Sequence, residues 1–282
     1  MATIDLHSHS LHSDGELSPQ DLVRRAAQRG VRVLALTDHD SLAGLDAAAA
    51  EAALCGVQLI RGVELSTQWQ GVNVHVLGLC LDTGSASLQS LIASQKQVRA
   101  RRARAIAERL QALGFAGMYE AALARSESAD SVGRLHFAQE LQARGVVRTL
   151  QQAFDRYLGS GRKAAVPLDW VDMDAGLACL RDAAACTVLA HPLRYGLSRT
   201  RLTRLITDFA AAGGQALEVS TPVQAVGEWP WLQMQAQKHA LLCSQGSDFH
   251  GPSSPWAELG AFVELPAHLL PREQMSIDDQ AA

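Results

Sequence analysis

Six short apolar runs in this chain end on a histidine or a carboxylate, and that repeated placement limits what the chain can fold into. The runs lead to His7 and His9, to Asp38-His39-Asp40, to Glu64, to His75, to His191 and to Asp248-Phe249-His250. Most are separated by alanine-rich stretches with helical patterning. Strand followed by helix, repeated, implies a mainly parallel sheet with helices outside it. In such folds the C-terminal ends of the strands share one edge, where ligands bind. The repeat therefore gathers the ionisable groups at a single site.

The expected strands are Thr3 to His7, Val31 to Thr37, Val57 to Leu65, Val72 to Leu79, Thr187 to Ala190, Ala216 to Ser220 and Ala240 to Ser244, with a last one over Gly260 to Val263. Between them, Ser18 caps a helix with Pro19 at its first position, ended by Gly30. Further helices are expected over Leu42 to Leu54, Arg199 to Ala212 and Trp231 to His239. From Leu88 to Leu158 strand-like runs are missing and Arg, Ala, Gln and Leu dominate. This segment reads as a helical insertion or cap, residues 82–165, inside a barrel formed by 1–81 and 166–271. The tail, 272–282, is polar and expected to fray. Six to eight strand–helix units suffice to close a barrel.

Strand geometry places Asp5, His7 and His9 on one face, and Asp14 follows in a Ser-Asp-Gly turn. Burying so many ionisable groups together costs several kcal/mol per charge unless a cation offsets it. Nine candidate metal ligands result: His7, His9, Asp14, His39, Glu64, His75, His191, Asp248 and His250. They exceed the needs of one ion, so two or three divalent cations sharing carboxylates are expected. Imidazole and carboxylate without thiolate favour Mn²⁺, with Fe²⁺ or Zn²⁺ as alternatives, over Ca²⁺ or a structural zinc. Adjacent cations can hold a bridging hydroxide and clamp phosphoryl oxygens.

The remaining features narrow the partners. A net charge of −4 gives no global basic field for gripping duplex nucleic acid. No apolar run reaches the length that spans a bilayer, and no secretory leader pattern opens the sequence, so a cytoplasmic location is expected. Cys55, Cys80, Cys179, Cys186 and Cys243 form no CxxC pair and read as buried reduced thiols. Arg194, three residues after His191, can fork onto a phosphate. Arg134 and His136 in the insertion are further candidates for substrate binding. Arg99, Arg101, Arg102 and Arg104 wind around a helix and read as a solvated face. Gly159-Ser160-Gly161-Arg162-Lys163 lacks Walker spacing. Trp229, Trp231 and Trp256 read as core or rim packing.

The segments HSHSLHSDG, LALTDHD, GVELS, HVLGL, LAHPLR and GSDFH, in that order, resemble the signature of the polymerase-and-histidinol-phosphatase (PHP) family. The insertion and GRLHFA (Gly133 to Ala138) resemble its TrpH-like branch, which includes 3′,5′-nucleoside bisphosphate phosphatases and 5′-to-3′ exoribonucleases. The resemblance implies an α/β fold, a distorted (β/α)7 barrel with a helical cap. It implies that His7, His9, Glu64 and Asp248 hold one metal, that Glu64 bridges to a second held by His75 and His191, and that Asp14, His39 and His250 hold a third. Leu135 and Ala165 depart from the branch, which has Pro and an aromatic there. Neither is a proposed ligand; both bear on pocket shape.

The reaction so implied is hydrolysis of the 3′-phosphate of a 3′,5′-bisphosphorylated nucleoside such as 3′-phosphoadenosine 5′-phosphate, by attack of a metal-bridging hydroxide. Glu64, Asp248, His191 and His250 would be the catalytic residues, and His191, His250 or a metal-bound water would protonate the leaving oxygen. The expected partner is a small nucleotide, with short single-stranded RNA as the alternative. Other readings are a phosphatase of another metabolite such as histidinol phosphate, and a non-catalytic PHP module. The complete ligand set and the lack of any polymerase segment argue against the last.

Overall fold

The computed structural model describes residues 2–126, 129, 131–167, 170–222, 226–253 and 257–277. The chain runs β1 (Ile4–Asp5), α1 (Pro19–Gln28), β2 (Val33–Leu36), α2 (Leu45–Cys55), β3 (Gln58–Trp69) and β4 (Val72–Leu81). The insertion follows as α3 (Ala86–Ala112), α4 (Met118–Leu123), α5 (Arg134–Ala143) and α6 (Leu150–Ala153), the last running into a π-turn over Phe154–Leu158. The chain then returns through β5 (Val171–Asp172), α7 (Met173–Ala183), β6 (Ala184–Leu189), α8 (Arg199–Ala211), β7 (Ala216–Ser220), α9 (Trp229–Lys238) and β8 (Leu242–Gln245).

Local chemistry explains the boundaries. Ser18 Oγ accepts the Asp21 N–H at 3.1 Å to start α1, and Gly56, at φ 67°, ends α2 in a conformation that costs glycine little. β2, Val-Leu-Ala-Leu, is buried throughout, as a strand covered on both faces must be.

The sheet order is β1-β2-β3-β4-β6-β7-β8, with β5 paired to the far end of β3. All pairings are parallel except those of β4, which is antiparallel to both β3 and β6. That reversal follows from the tight turn at Gln70-Gly71, where both residues have positive φ (49° and 75°). The ring is nearly closed. Leu6 N donates to Gln245 O at 3.1 Å, Asp248 N to His7 O at 2.9 Å, and His9 N to Phe249 O at 2.9 Å. The fold is thus the barrel-like α/β architecture expected, with the insertion on it.

Three expectations need correction. No strand forms over Gly260 to Val263; Gly260 sits at φ 67° and its carbonyl accepts only the Ala2 N–H. Helix α7 and strand β5 are not among the expected elements; Gly176 interrupts the apolar pattern of α7 because that turn packs tightly against Thr67. The tail is not frayed as far as Ile277, since Met275 and Ile277 are buried in the barrel core. Residues 278–282 lie outside the described set, as does Trp256. Trp229 and Trp231 pack at the rim of the barrel core.

The insertion has its own apolar core, built on Ile106, Leu110, Met118, Phe137 and Leu141. Leu88 and Ile92, from the first half of α3, belong instead to the barrel core. One continuous helix therefore joins the two cores. No described helix is long and apolar enough to cross a membrane.

Candidate metal centre and substrate cleft

Most of the ligand residues arrive from strand ends, but Glu64 and His75 do not. His7 and His9 follow β1, His39 follows β2, Glu64 and His75 lie within β3 and β4, His191 follows β6, and Asp248 and His250 follow β8. Glu64 is the hub. Its carboxylate lies 3.1 Å from the nearest ring nitrogen of each of His7, His9 and His39, 2.7 Å from His75 Nδ1 and 3.0 Å from His191 Nε2. Asp248 Oδ1 is 3.0 Å from His9 Nε2 and 3.3 Å from His7 Nε2. Asp14 Oδ1 is 3.2 Å from His250 Nε2 and 3.8 Å from His39 Nε2.

Three sets of side chains bring ligand atoms within 4.8 Å of one another: His7, His9, Glu64 and Asp248; His39, Glu64 and His75; and His9, Asp14, His39 and His250. The first matches the expected grouping. The other two differ in detail: His39 joins Glu64 and His75, while His191 touches the hub through Glu64 Oε1 alone. Because His9, His39 and Glu64 are shared, the sets form one continuous cluster.

The arrangement fits cations. Asp14 Oδ1 and His39 Nδ1 are buried without hydrogen-bond partners although opposite charges crowd them. Atoms close together but not aimed along N–H vectors are placed as ligands around a shared ion are. Three site residues have the positive φ that side chains rarely adopt: Asp40 (48°), His191 (26°) and Asp248 (50°). Such backbone persists only where the surroundings enforce it.

Electrostatics within the cluster are strongly coupled. Burial alone would lower the pKa of His7, but Glu64, Glu218 and Asp248 hold it well above the imidazole range. His9, similarly opposed by burial, is raised to about 10 by hydrogen bonds to Asp248 and Glu64 and by their charges. Burial would raise Asp14, Glu64 and Asp248, yet neighbouring imidazoles, with Arg194 at Asp248, hold all three well below the carboxylate range. His39 and His75 are lowered by burial.

Glu218, on β7, is a functional candidate absent from the sequence reading. It is fully buried, accepts from His7 Nδ1 at 3.0 Å and from the His191 backbone N–H at 2.6 Å. It thereby fixes the His7 tautomer that presents Nε2 to the site. Its one sequence signal is a carboxylate inside the apolar run Ala216-Leu217-Glu218-Val219.

A cleft of about 920 Å³ adjoins the cluster at His75 and His191, and six arginines line it: Arg102, Arg109, Arg134, Arg162, Arg194 and Arg201. Arg194 is there as expected, with Nη1 hydrogen-bonded to Asp248 Oδ2. Arg134 is there also. His136 does not line the cleft; its Nδ1 accepts the Gly133 N–H at 3.0 Å and caps α5. The solvated-face reading of α3 fails at two of its four arginines. Arg99 is buried, ion-paired with Asp40 and bonded to Ser66 Oγ at 3.0 Å, and Arg102 turns into the cleft. Both lie on the face that continues from Leu88, Ile92 and Gln95 onto the barrel. Arg101 and Arg104 are exposed. Ser160, Gly161 and Arg162 reach the cleft without any Walker geometry. All five cysteines are free thiols, but only Cys186 and Cys243 are buried; burial pushes the Cys186 thiol up to about 12.

Residues 5–161 match the PHP domain family. The chain is 38% identical over 266 residues to a 3′,5′-nucleoside bisphosphate phosphatase of Chromobacterium violaceum, covering 94% of this chain and 93% of that protein. It is 40% identical over 267 residues to a 5′-3′ exoribonuclease of Haemophilus influenzae, covering 95% and 96%. A crystal structure from Bifidobacterium adolescentis, of a protein proposed to be a metal-dependent phosphoesterase, superposes with a TM-score of 0.85 at 29% identity, covering 100% of this chain and 99% of that one.

Proposed function

The chain belongs to the PHP family of metal-dependent phosphoesterases, and on that premise we propose that it removes the 3′-phosphate of 3′,5′-bisphosphorylated nucleosides. One observation carries this reading. A metal-binding cluster built around Glu64 opens directly onto a cleft with more arginines than one phosphate can use.

His7, His9, Glu64 and Asp248 would hold one cation; Glu64, His75 and His39, with His191 beside them, a second; and Asp14, His39, His9 and His250 a third. Mn²⁺ suits this donor set, with Fe²⁺ and Zn²⁺ as alternatives. When bound, such ions neutralise phosphoryl oxygens and activate the attacking water. The chain's own residues do the rest. Glu218 holds the His7 ring and the His191 backbone in place. Arg194, tied to Asp248 beside the ligands, would grip the reacting phosphate. His250 Nδ1 donates to the Asp248 carbonyl at 2.9 Å, which leaves Nε2 facing Asp14. His191 uses Nε2 on Glu64. Both imidazoles thus face the ligand cluster, and His191, His250 or a metal-bound water would protonate the leaving oxygen.

A second reading, 5′-to-3′ shortening of small RNAs, is favoured by the reach of the cleft to Arg109 and Arg162, away from the ligands. The deciding experiment compares nucleoside bisphosphates, mononucleotides, histidinol phosphate and short 5′-phosphorylated RNA on Mn²⁺-loaded protein. The bisphosphate should show the highest kcat/KM. Faster shortening of RNA would replace the first reading with the second.

A further inference from the structure

We propose that Arg102 of α3 and Arg134 of α5 together form a seat for a second substrate phosphate, apart from the one that reacts. The proposal deepens the phosphoesterase reading and rests on it.

Among the described residues neither arginine is ion-paired as its neighbours are, although the charge of Asp14 acts on Arg134. Arg99 is paired with Asp40, and Arg194 with Asp248. Among the described residues, no carboxylate is hydrogen-bonded to Arg102 or Arg134, and Arg102 Nε is buried with no hydrogen-bond partner. Both face the large cleft, and both line a narrow recess of about 80 Å³ shared with Asp14, His39 and His75. The seat is therefore adjacent to the metal ligands but on the insertion side.

Aromatic faces hold the guanidiniums without neutralising them. Trp170 lies 5.6 Å from Arg102, and Phe154 lies 5.7 Å from Arg134. Burial, then the charges of Arg134 and Arg99, push the Arg102 pKa down to about 9, which still leaves a cation at neutral pH. Burial and Arg99 likewise lower Arg134, against the opposing charge of Asp14. Partly buried like charges side by side are costly unless an anion joins them. A planar fork on each side suits the several oxygens of a phosphate. The ligand chemistry is a phosphomonoester or phosphodiester anion. It would be the second phosphate of a nucleoside bisphosphate or the next internucleotide phosphate of a short RNA.

The test uses the full-length, Mn²⁺-loaded protein and the variants Arg102→Gln, Arg134→Gln and Arg102→Lys. Each is assayed on a nucleoside 3′,5′-bisphosphate, a 3′-mononucleotide and a short 5′-phosphorylated RNA. In parallel, inorganic sulfate is titrated while tryptophan fluorescence is followed, since Trp170 packs on Arg102. Arg102→Gln should lower kcat/KM for the bisphosphate by ~10- to 100-fold. That loss should exceed the loss on the mononucleotide by at least ~tenfold, and Arg102→Lys should recover part of it. Both Gln variants should weaken sulfate binding ~tenfold. A selective loss on RNA instead of the bisphosphate would identify the internucleotide phosphate as occupant and keep the seat. Equal losses on all substrates with unchanged sulfate affinity would overturn it. If no bisphosphate is turned over at all, the substrate reading fails, and the sulfate titration still decides the seat separately.

Discussion

The two walls of the cleft handle buried charge in opposite ways. On the barrel wall the cation-forming groups of the ligand cluster face carboxylates: five imidazoles crowd Glu64, and Asp248 lies against His7 and His9 as well as Arg194. On the insertion wall Arg99 is so matched, while Arg102 and Arg134, with no carboxylate bonded to them among the described residues, lean on aromatic rings. A self-compensated wall can exchange protons for metal ions without leaving bare charge. An uncompensated wall is completed by its ligand. The contrast teaches that charge at one active site can be prepared for cations and for anions a few residues apart, provided each side has different partners.

The largest expected effect breaks the barrel wall. Glu64→Ala removes the carboxylate shared by two of the three ligand sets, and we expect kcat to fall ~1000-fold or more, with metal content reduced. Full metal content and wild-type turnover in this variant would end the assignment. Next is the matched pair of the insertion wall. Asp40→Ala leaves Arg99 buried and unpaired, and should cost ~3 kcal/mol in urea unfolding. A loss below ~1 kcal/mol would show that water reaches the pair. A subtler change to the barrel wall is Glu218→Gln, which disturbs the orientation of His7 without deleting a ligand. Metal affinity measured against a competing chelator should fall ~10- to 100-fold; an unaltered affinity would reduce Glu218 to packing. Smallest is Arg194→Ala, with an expected ~tenfold loss in kcat/KM of similar size on bisphosphate and mononucleotide. A loss confined to the bisphosphate would move Arg194 to the second phosphate and erase the division of labour between the walls.

The barrel wall was legible in the sequence because its chemistry follows strand periodicity. His7 and His9 are two residues apart, and each later ligand comes at or beyond a strand's apolar run, so a local rule locates them. The insertion wall was not legible. Whether Arg102 faces water depends on what α3 lies against, and a helix with arginines all round carries no such signal. Glu218 escaped notice because no histidine stands beside it in the chain; its importance comes from His7, 211 positions away. The buried end of the tail was missed because two apolar residues, Met275 and Ile277, among polar ones set no period.

Helix α3 carries a consequence of its continuity. Its 27 residues extend ~40 Å without a break, from Leu88 and Ile92 on the barrel to Leu110 in the insertion. Each residue added to a helix rotates every later position by ~100° about the axis. One residue inserted between Ile92 and Arg99 would swing Arg99 off Asp40 and point Arg102 toward solvent, although no side chain had been replaced. Substitution at exposed positions such as Ala93, Ser94 or Gln97 would change neither. In this helix the number of residues is constrained more tightly than their identity, so length differences between related chains should collect in the loops beyond its ends.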